Sequence, residues 1–168
     1  MSARLRTDVV DVFVARVHHD AIEFLQLRRV EEPLRGTWQP IMGHTHDTST
    51  PSQPAGETSL DAAIRELKEE VGLAAADALA MWALEQVHPY YIARSDCVML
   101  SPRFAVLVPH DWTPVLNEEH DAFRWVREAD VAAEFVWPGQ RACCVEICDL
   151  INSPDSPAAR VQRIVINH

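Results

Sequence analysis

Glu57, Arg65, Glu66, Glu69 and Glu70 lie within one short stretch of the chain. Carboxylates at spacings of three and four share one side of a helix, and Thr58 to Val71 carries the marks of one. Thr58 is placed to cap it, Asp61 stands three residues on, and Gly72 supplies the left-handed backbone that ends a helix. Leu60, Ala63, Ile64, Leu67 and Val71 form a stripe that packs on a sheet, leaving Glu66, Glu69 and Glu70 together on the opposite, outward side. Like charges so spaced cost roughly 0.2–0.5 kcal/mol per pair. Two readings follow. One is a solvated acidic face, partly relieved by Arg65 and Lys68. The other is a site for a hard cation, because Mg2+ or Mn2+ prefers oxygen ligands and would cancel the repulsion.

Other chemistry-bearing residues are scattered. Arg28 closes an apolar strand and could meet a phosphate. Trp38, Tyr90 and Tyr91 offer flat faces for a planar ring or for packing. His44, His46 and Asp47 have ligand-capable spacing inside a polar segment. There is no G-x-S-x-G elbow and no legible Ser–His–Asp arrangement.

Elements must bring these residues together. Asp8 to Val17 and Ile22 to Leu27 read as two strands around a turn at His18–Asp20. Further strands are expected at Met81–Val87, Val98–Val108 and Phe123–Val126, with helices at Glu128–Glu134 and Pro138–Ile151. Residues 44–55 have loop composition, and 153–168 read as a loosely packed tail with a short strand conceivable at Val161–Ile166. The order of strands, one central helix, strands and terminal helices predicts a mixed-sheet α/β or α+β fold, not a doubly wound repeat.

The chain of 168 residues makes one domain. A net charge of −10 argues against a nucleic-acid polymer as partner, since a polyphosphate strand needs a cationic footprint. No apolar run is long enough to cross a bilayer, and the start lacks the cleavage site of a signal peptide. Cys97, Cys143, Cys144 and Cys148 show no paired metal-knuckle spacing. They read as buried thiols in a reducing compartment, so a cytoplasmic protein is expected.

Glu57, then seven residues, then Arg65-Glu66-Leu67-Lys68-Glu69-Glu70-Val71-Gly72-Leu73 resembles the signature of the Nudix hydrolases. Six fixed residues and two apolar positions agree in spacing. The opening glycine of that signature is replaced by Pro51, and Gly43, within Trp38-Gln39-Pro40-Ile41-Met42-Gly43, stands in for it. Residues 44–55 therefore read as an inserted loop. Glu119-His120-Asp121-Ala122-Phe123-Arg124-Trp125-Val126, the Thr37–Gly43 segment and Trp137–Ala142 are similar to segments of bacterial dihydroneopterin triphosphate pyrophosphohydrolases within the family.

The resemblance implies an α/β/α sandwich around a mixed sheet and a divalent metal, Mg2+ or Mn2+. Glu66, Glu69 and Glu70 match its metal-binding glutamates, joined by the carbonyl of Gly43. Arg65 matches an orienting arginine and Glu57 its acidic partner. Glu70 or Glu69 would serve as general base, and Glu119 as an additional carboxylate at the metal. Arg28, Trp38 and Tyr90 are candidate substrate contacts. The implied reaction is hydrolysis of a pyrophosphate bond in a nucleoside triphosphate-like small molecule, dihydroneopterin triphosphate included, giving monophosphate and pyrophosphate. Alternatives are a nucleotide-sugar or dinucleoside polyphosphate hydrolase, or a non-catalytic nucleotide-sensing module. Many relatives dimerise, so a homodimer is an expected option.

Overall fold

The structure, a computed structural model, describes residues 2–46 and 56–166. Most of the inserted segment expected at 44–55 (from Asp47 onward) lies outside the described residues.

The strands are β1 (Arg4–Arg6), β2 (Val9–His18), β3 (Ala21–Arg29), β4 (Trp38–Gln39), β5 (Ile41–His44), β6 (Ala80–Ala83), β7 (Tyr90–Ile92), β8 (Cys97–Met99), β9 (Arg103–Leu107) and β10 (His120–Arg127). The helices are α1 (Ser59–Val71), α2 (Val131–Glu134), α3 (Pro138–Asn152) and α4 (Pro157–Gln162). A main sheet runs in the order β10-β3-β2-β9-β6, and a small one in the order β1-β8-β7. Among the described residues, β2 and β9 are the one parallel pair of the main sheet, and β1 and β8 pair in parallel in the small one.

From Val9 to Ala15 β2 is buried on both faces, which is why that stretch is apolar apart from Asp11. Val10, Val12 and Val14 face one cluster with Leu67 and Val71 of α1; Phe13 and Ala15 face another with Cys143, Cys144 and Ile147 of α3. Helices thus cover both faces of a mixed sheet, the expected sandwich. Asp11, buried in mid-strand, sits opposite Arg103 of β9 and accepts from its Nε at 3.0 Å. Arg103 also donates to the carbonyl of Gly139, tying the start of α3 to the sheet. Cys97, Cys143, Cys144 and Cys148 are all free thiols.

The β2–β3 hairpin turns on His19 and Asp20, both at positive φ, the conformation a two-residue turn requires. Beyond it the two strands splay. β3 pairs with β2 near the turn, but its far end pairs with β4, while the start of β2 pairs with β5. The β4–β5 segment fills the wedge, and α1 packs across it.

α1 ends as its sequence predicts. The Thr58 hydroxyl accepts from the Asp61 amide, and Gly72 at φ 70° lets the amides of Gly72 and Leu73 reach the carbonyls of Lys68 and Leu67. Elsewhere four expectations change. The strand expected at Met81–Val87 is β6, Ala80–Ala83, and stops short at Ala83. The single strand expected at 98–108 is two, β8 and β9, in different sheets. Pro102 between them has no amide hydrogen to continue a ladder. The helix expected at Glu128–Glu134 begins as a 3-10 turn, with α2 only from Val131. The tail expected to be loose contains α4, whose Ala159 is buried and accepts from the Trp82 indole at 3.1 Å. After it, Arg163 bridges Trp82 of β6 and the Ile164 amide donates to Met81.

Candidate active site

α1 runs with Ala62, Ala63, Leu67 and Val71 against the sheet, and Glu66 and Glu70 fall on that same buried arc. This corrects the outward placement expected for the three glutamates. Glu69 alone points to solvent, its side chain 54% exposed, whereas Glu70 is 2% exposed. The reason is the wedge: at the splay of β2 and β3 the buried side of α1 looks into a cleft as well as onto apolar core.

The close approach is made by Gly43 of β5. A Cβ there would lie 2.0 Å from Cδ and Oε1 of Glu66, so only glycine leaves room for that carboxylate. Gly43, Glu66, Glu69, Glu70, Arg65 and Glu119 line one cavity of about 490 Å3. Arg6 and Arg29 bring positive charge to it, and Met42, Tyr90, Ile92 and Met99 form an apolar flank.

Arg65 spends every N–H it has. Nε and Nη2 grip Glu57 at 2.8 and 3.1 Å, Nη1 reaches Glu66 at 2.7 Å and Glu69 at 2.9 Å, and Nη2 donates to the carbonyl of His44 at 2.8 Å. The paired contact is the rigid fork that a lysine could not supply. It pushes the arginine's pKa up and holds the Glu57 carboxyl down at about 2. Oε2 of Glu57, the oxygen that takes Nη2, also accepts from the His46 amide at 2.7 Å.

Glu70 has no such partner. Its Oε2 is buried without a hydrogen bond. Burial, reinforced by the charges of Glu66 and Glu119, pushes its pKa up to about 9. Burial also raises Glu66, against the pull of Arg65. His120, at the start of β10, lies with Nδ1 3.8 Å from Glu70 Oε2, and burial, with Arg29 adding to it, lowers it to about 4.

Among the described residues, no three His, Cys, Asp or Glu side chains are gathered closely enough to hold a metal ion. Arg65 stands between Glu66 and Glu69 instead. The donor set nevertheless fits a hard divalent cation: carboxylate oxygens only, one of them buried and unpartnered, over a glycine that leaves space.

Two candidate substrate residues lie away from this cavity. Arg28 forms a forked ion pair with Asp121 at 2.7 and 3.0 Å. Trp38 sits under the guanidinium groups of Arg28 and Arg124, 5.7 and 4.5 Å from its ring centre. Their chain neighbours Arg29 and Gln39 line the cavity instead. Sequence reasoning missed these two and His120. Strand parity was the available signal, since Arg29 and Gln39 share the face of Leu27, on the side that α1 covers.

Comparison with known proteins supplies the remaining information. The NUDIX domain family profile matches residues 5–144. The rat (Rattus norvegicus) bis(5'-nucleosyl)-tetraphosphatase (asymmetrical) is 27% identical over 113 residues, 67% of this chain and 69% of that protein. A C. elegans Ap4A hydrolase binary complex shares the fold with a TM-score of 0.67 at 18% identity, covering 88% of this chain and 99% of its own. The E. coli dihydroneopterin triphosphate pyrophosphohydrolase does so with a TM-score of 0.64 at 23% identity, covering 85% and 95%. With the profile spanning the sheet, α1 and the whole glutamate cluster, the chain belongs to the NUDIX domain family.

Proposed function

We propose that this Nudix pyrophosphohydrolase acts on a nucleoside triphosphate-like small molecule, dihydroneopterin triphosphate among them. It would release a monophosphate and pyrophosphate with Mg2+ or Mn2+ as cofactor. The observation that carries this reading is the composition of one cavity: a carboxylate wall of Glu66, Glu69, Glu70 and Glu119 beside arginines and an apolar flank bearing Tyr90. Carboxylates alone repel a polyphosphate, so the wall makes sense with a cation between the two. When held by Glu66, Glu69, Glu70 and Glu119, a divalent ion supplies neutralisation of phosphate oxygens and acidification of water.

The chain's own residues do the rest. Arg29, whose Nε is buried without a partner, binds phosphate oxygens. Tyr90, 37% exposed at the cavity wall, stacks on the planar ring. Glu70, whose Oε2 is buried without a partner, accepts the proton of the attacking water. Arg65, held by Glu57, aims Glu66 and Glu69.

A second reading is a dinucleoside polyphosphate substrate, favoured by the likeness to the rat tetraphosphatase. Products separate the two. We expect Mg2+- or Mn2+-dependent release of free pyrophosphate from triphosphate substrates, abolished by EDTA and lost in Glu70→Gln. Release of two nucleotides without pyrophosphate from diadenosine tetraphosphate, with triphosphates untouched, selects the second reading. No turnover of triphosphates, diadenosine polyphosphates, nucleotide sugars or ADP-ribose would sink both and point to a sensing module.

A further inference from the structure

The loop before β10 meets the end of α1 through Val115 and Asn117, and Asn117 reaches Glu70. The Asn117 amide donates to the carbonyl of Glu70 at 3.3 Å, and just upstream the Val115 amide donates to Val71 at 3.0 Å. The loop therefore caps the carbonyls that the last turn of α1 leaves free. The side chain works in the other direction. Asn117 Oδ1 accepts from the amide of Glu119 at 3.1 Å and faces Nδ1 of His120 at 3.3 Å. Because that oxygen already receives the Glu119 N–H, it is the amide oxygen, not the nitrogen, that looks at the ring. Nδ1 must then carry the imidazole hydrogen, and Nε2 is the bare nitrogen, buried without a partner.

The same Nδ1–H edge faces Glu70 Oε2 at 3.8 Å, too far for a hydrogen bond. Glu70 thus keeps an unpartnered oxygen, but its side chain abuts a ring whose orientation Asn117 dictates. On the far side, the Glu119 carbonyl accepts from the Val30 amide at 3.0 Å, which fixes this loop to the chain just beyond β3. A register shift between His120 and Ala122 sits at this point of β10, as expected where a strand is bent to re-aim a side chain.

We propose that Asn117 and His120 form a positioning bracket that sets Glu70 of α1 against Glu119 of the loop, so that two carboxylates from separate elements act as one cation-binding pair. The proposal rests on the reading of this cavity as a divalent-cation site. Neither bracket residue touches substrate. Asn117 acts through two backbones, and His120 through the wall it presents to Glu70.

The test uses the full chain, with Mn2+ alone as the binding probe, and two matched pairs of variants. His120→Asn places an N–H donor where Nδ1 stands, whereas His120→Gln places it where Nε2 stands. Asn117→Asp keeps an acceptor at the Oδ1 position; Asn117→Leu keeps the bulk without one. Thermal unfolding, Mn2+ affinity by titration calorimetry, and kcat and KM are measured for each. His120→Asn and Asn117→Asp are expected to stay within about threefold of the parent, while His120→Gln and Asn117→Leu lose about ten- to a hundredfold in Mn2+ affinity and kcat. KM changes little, since substrate contacts are untouched.

Equal losses in His120→Asn and His120→Gln, or parent-like behaviour of His120→Gln and Asn117→Leu, overturn the bracket. So do losses that merely follow the melting temperature across the four variants. A parent that binds Mn2+ but hydrolyses nothing overturns the proposed function alone, because the affinities still report on the bracket. A parent that binds no Mn2+ overturns both.

Discussion

Burying the carboxylate of Glu70 with one oxygen unpartnered raises its pKa to about 9, and this has a consequence for folding that is separate from catalysis. The folded value lies above that of the unfolded chain, so the folded state holds the extra proton and ionisation favours unfolding. The stability associated with the neutral carboxyl is complete below the ordinary value of 4.5 and is lost as pH rises toward 9. In EDTA, Glu70→Gln keeps the shape and removes the charge. It should raise stability at pH 8 by about 1–3 kcal/mol, and the melting temperature by roughly 2–4 °C for each kcal/mol, and have little effect at pH 4. Mn2+ should reverse the order, stabilising the parent and not the variant. Melting curves across pH decide the matter: a gain that does not grow with pH contradicts it. The position of Glu70 was legible in the sequence to a degree, because seven residues after Ala63 is nearly two turns and returns to the same face. A stripe drawn only through apolar residues overlooks it.

At the scale of elements, the site depends on strand parity and on which face α1 covers. Arg28 and Arg29 are adjacent, equally basic and both at the end of β3, so composition cannot choose between them. Register can. Leu27 pairs with Gln39 and lies in the cluster under α1, while Arg28 pairs with Trp38 and shares the other parity. Local sequence sets the alternation within each strand, but the face that receives α1 is a tertiary fact, so the sequence alone does not separate Trp38 and Arg28 from Gln39 and Arg29. Arg29→Ala should therefore lower kcat/KM by roughly ten- to a hundredfold, mostly through KM, as expected for a lost hydrogen bond to a charged group. Arg28→Ala, which breaks a half-exposed ion pair with Asp121, should stay within about twofold. Steady-state kinetics of the two variants side by side test the assignment; similar losses in both would return Arg28 to the site. Gly43 is the companion case. Its conservative-looking replacement by Ala forces Cβ into Glu66, so Gly43→Ala should fold yet lose Mn2+ affinity.

For the whole molecule, the sandwich separates what binds from what stabilises. The glutamate cluster, Gly43 and the apolar flank sit where β2 and β3 splay, and none of residues 157–166 lines that cavity. Those residues serve the edge of the sheet. β6 pairs with β9 on one side only, and its outer side is met by Arg163 and by the Ile164 amide, while α4 closes over Trp82. An uncovered edge strand offers unpaired backbone groups to other chains. Ser and Pro dominate residues 153–157, a loop-like composition, yet Ser156 and Pro157 begin α4, the serine capping it and the proline occupying its first turn. Removing residues 157–168 takes Ala159 out of the core and uncovers Trp82, which is 3% exposed in the folded chain. The truncated chain should lose about 2–4 kcal/mol of stability, comparable to deleting a large buried side chain, and aggregate at a lower temperature. Its folded fraction should keep parent kcat and Mn2+ affinity. Denaturant unfolding together with activity per folded molecule separates the two effects. A truncated chain with parent stability would mean that the tail contacts carry no weight, and one that stays folded but loses Mn2+ affinity would mean that the edge of the sheet and the cavity are coupled after all.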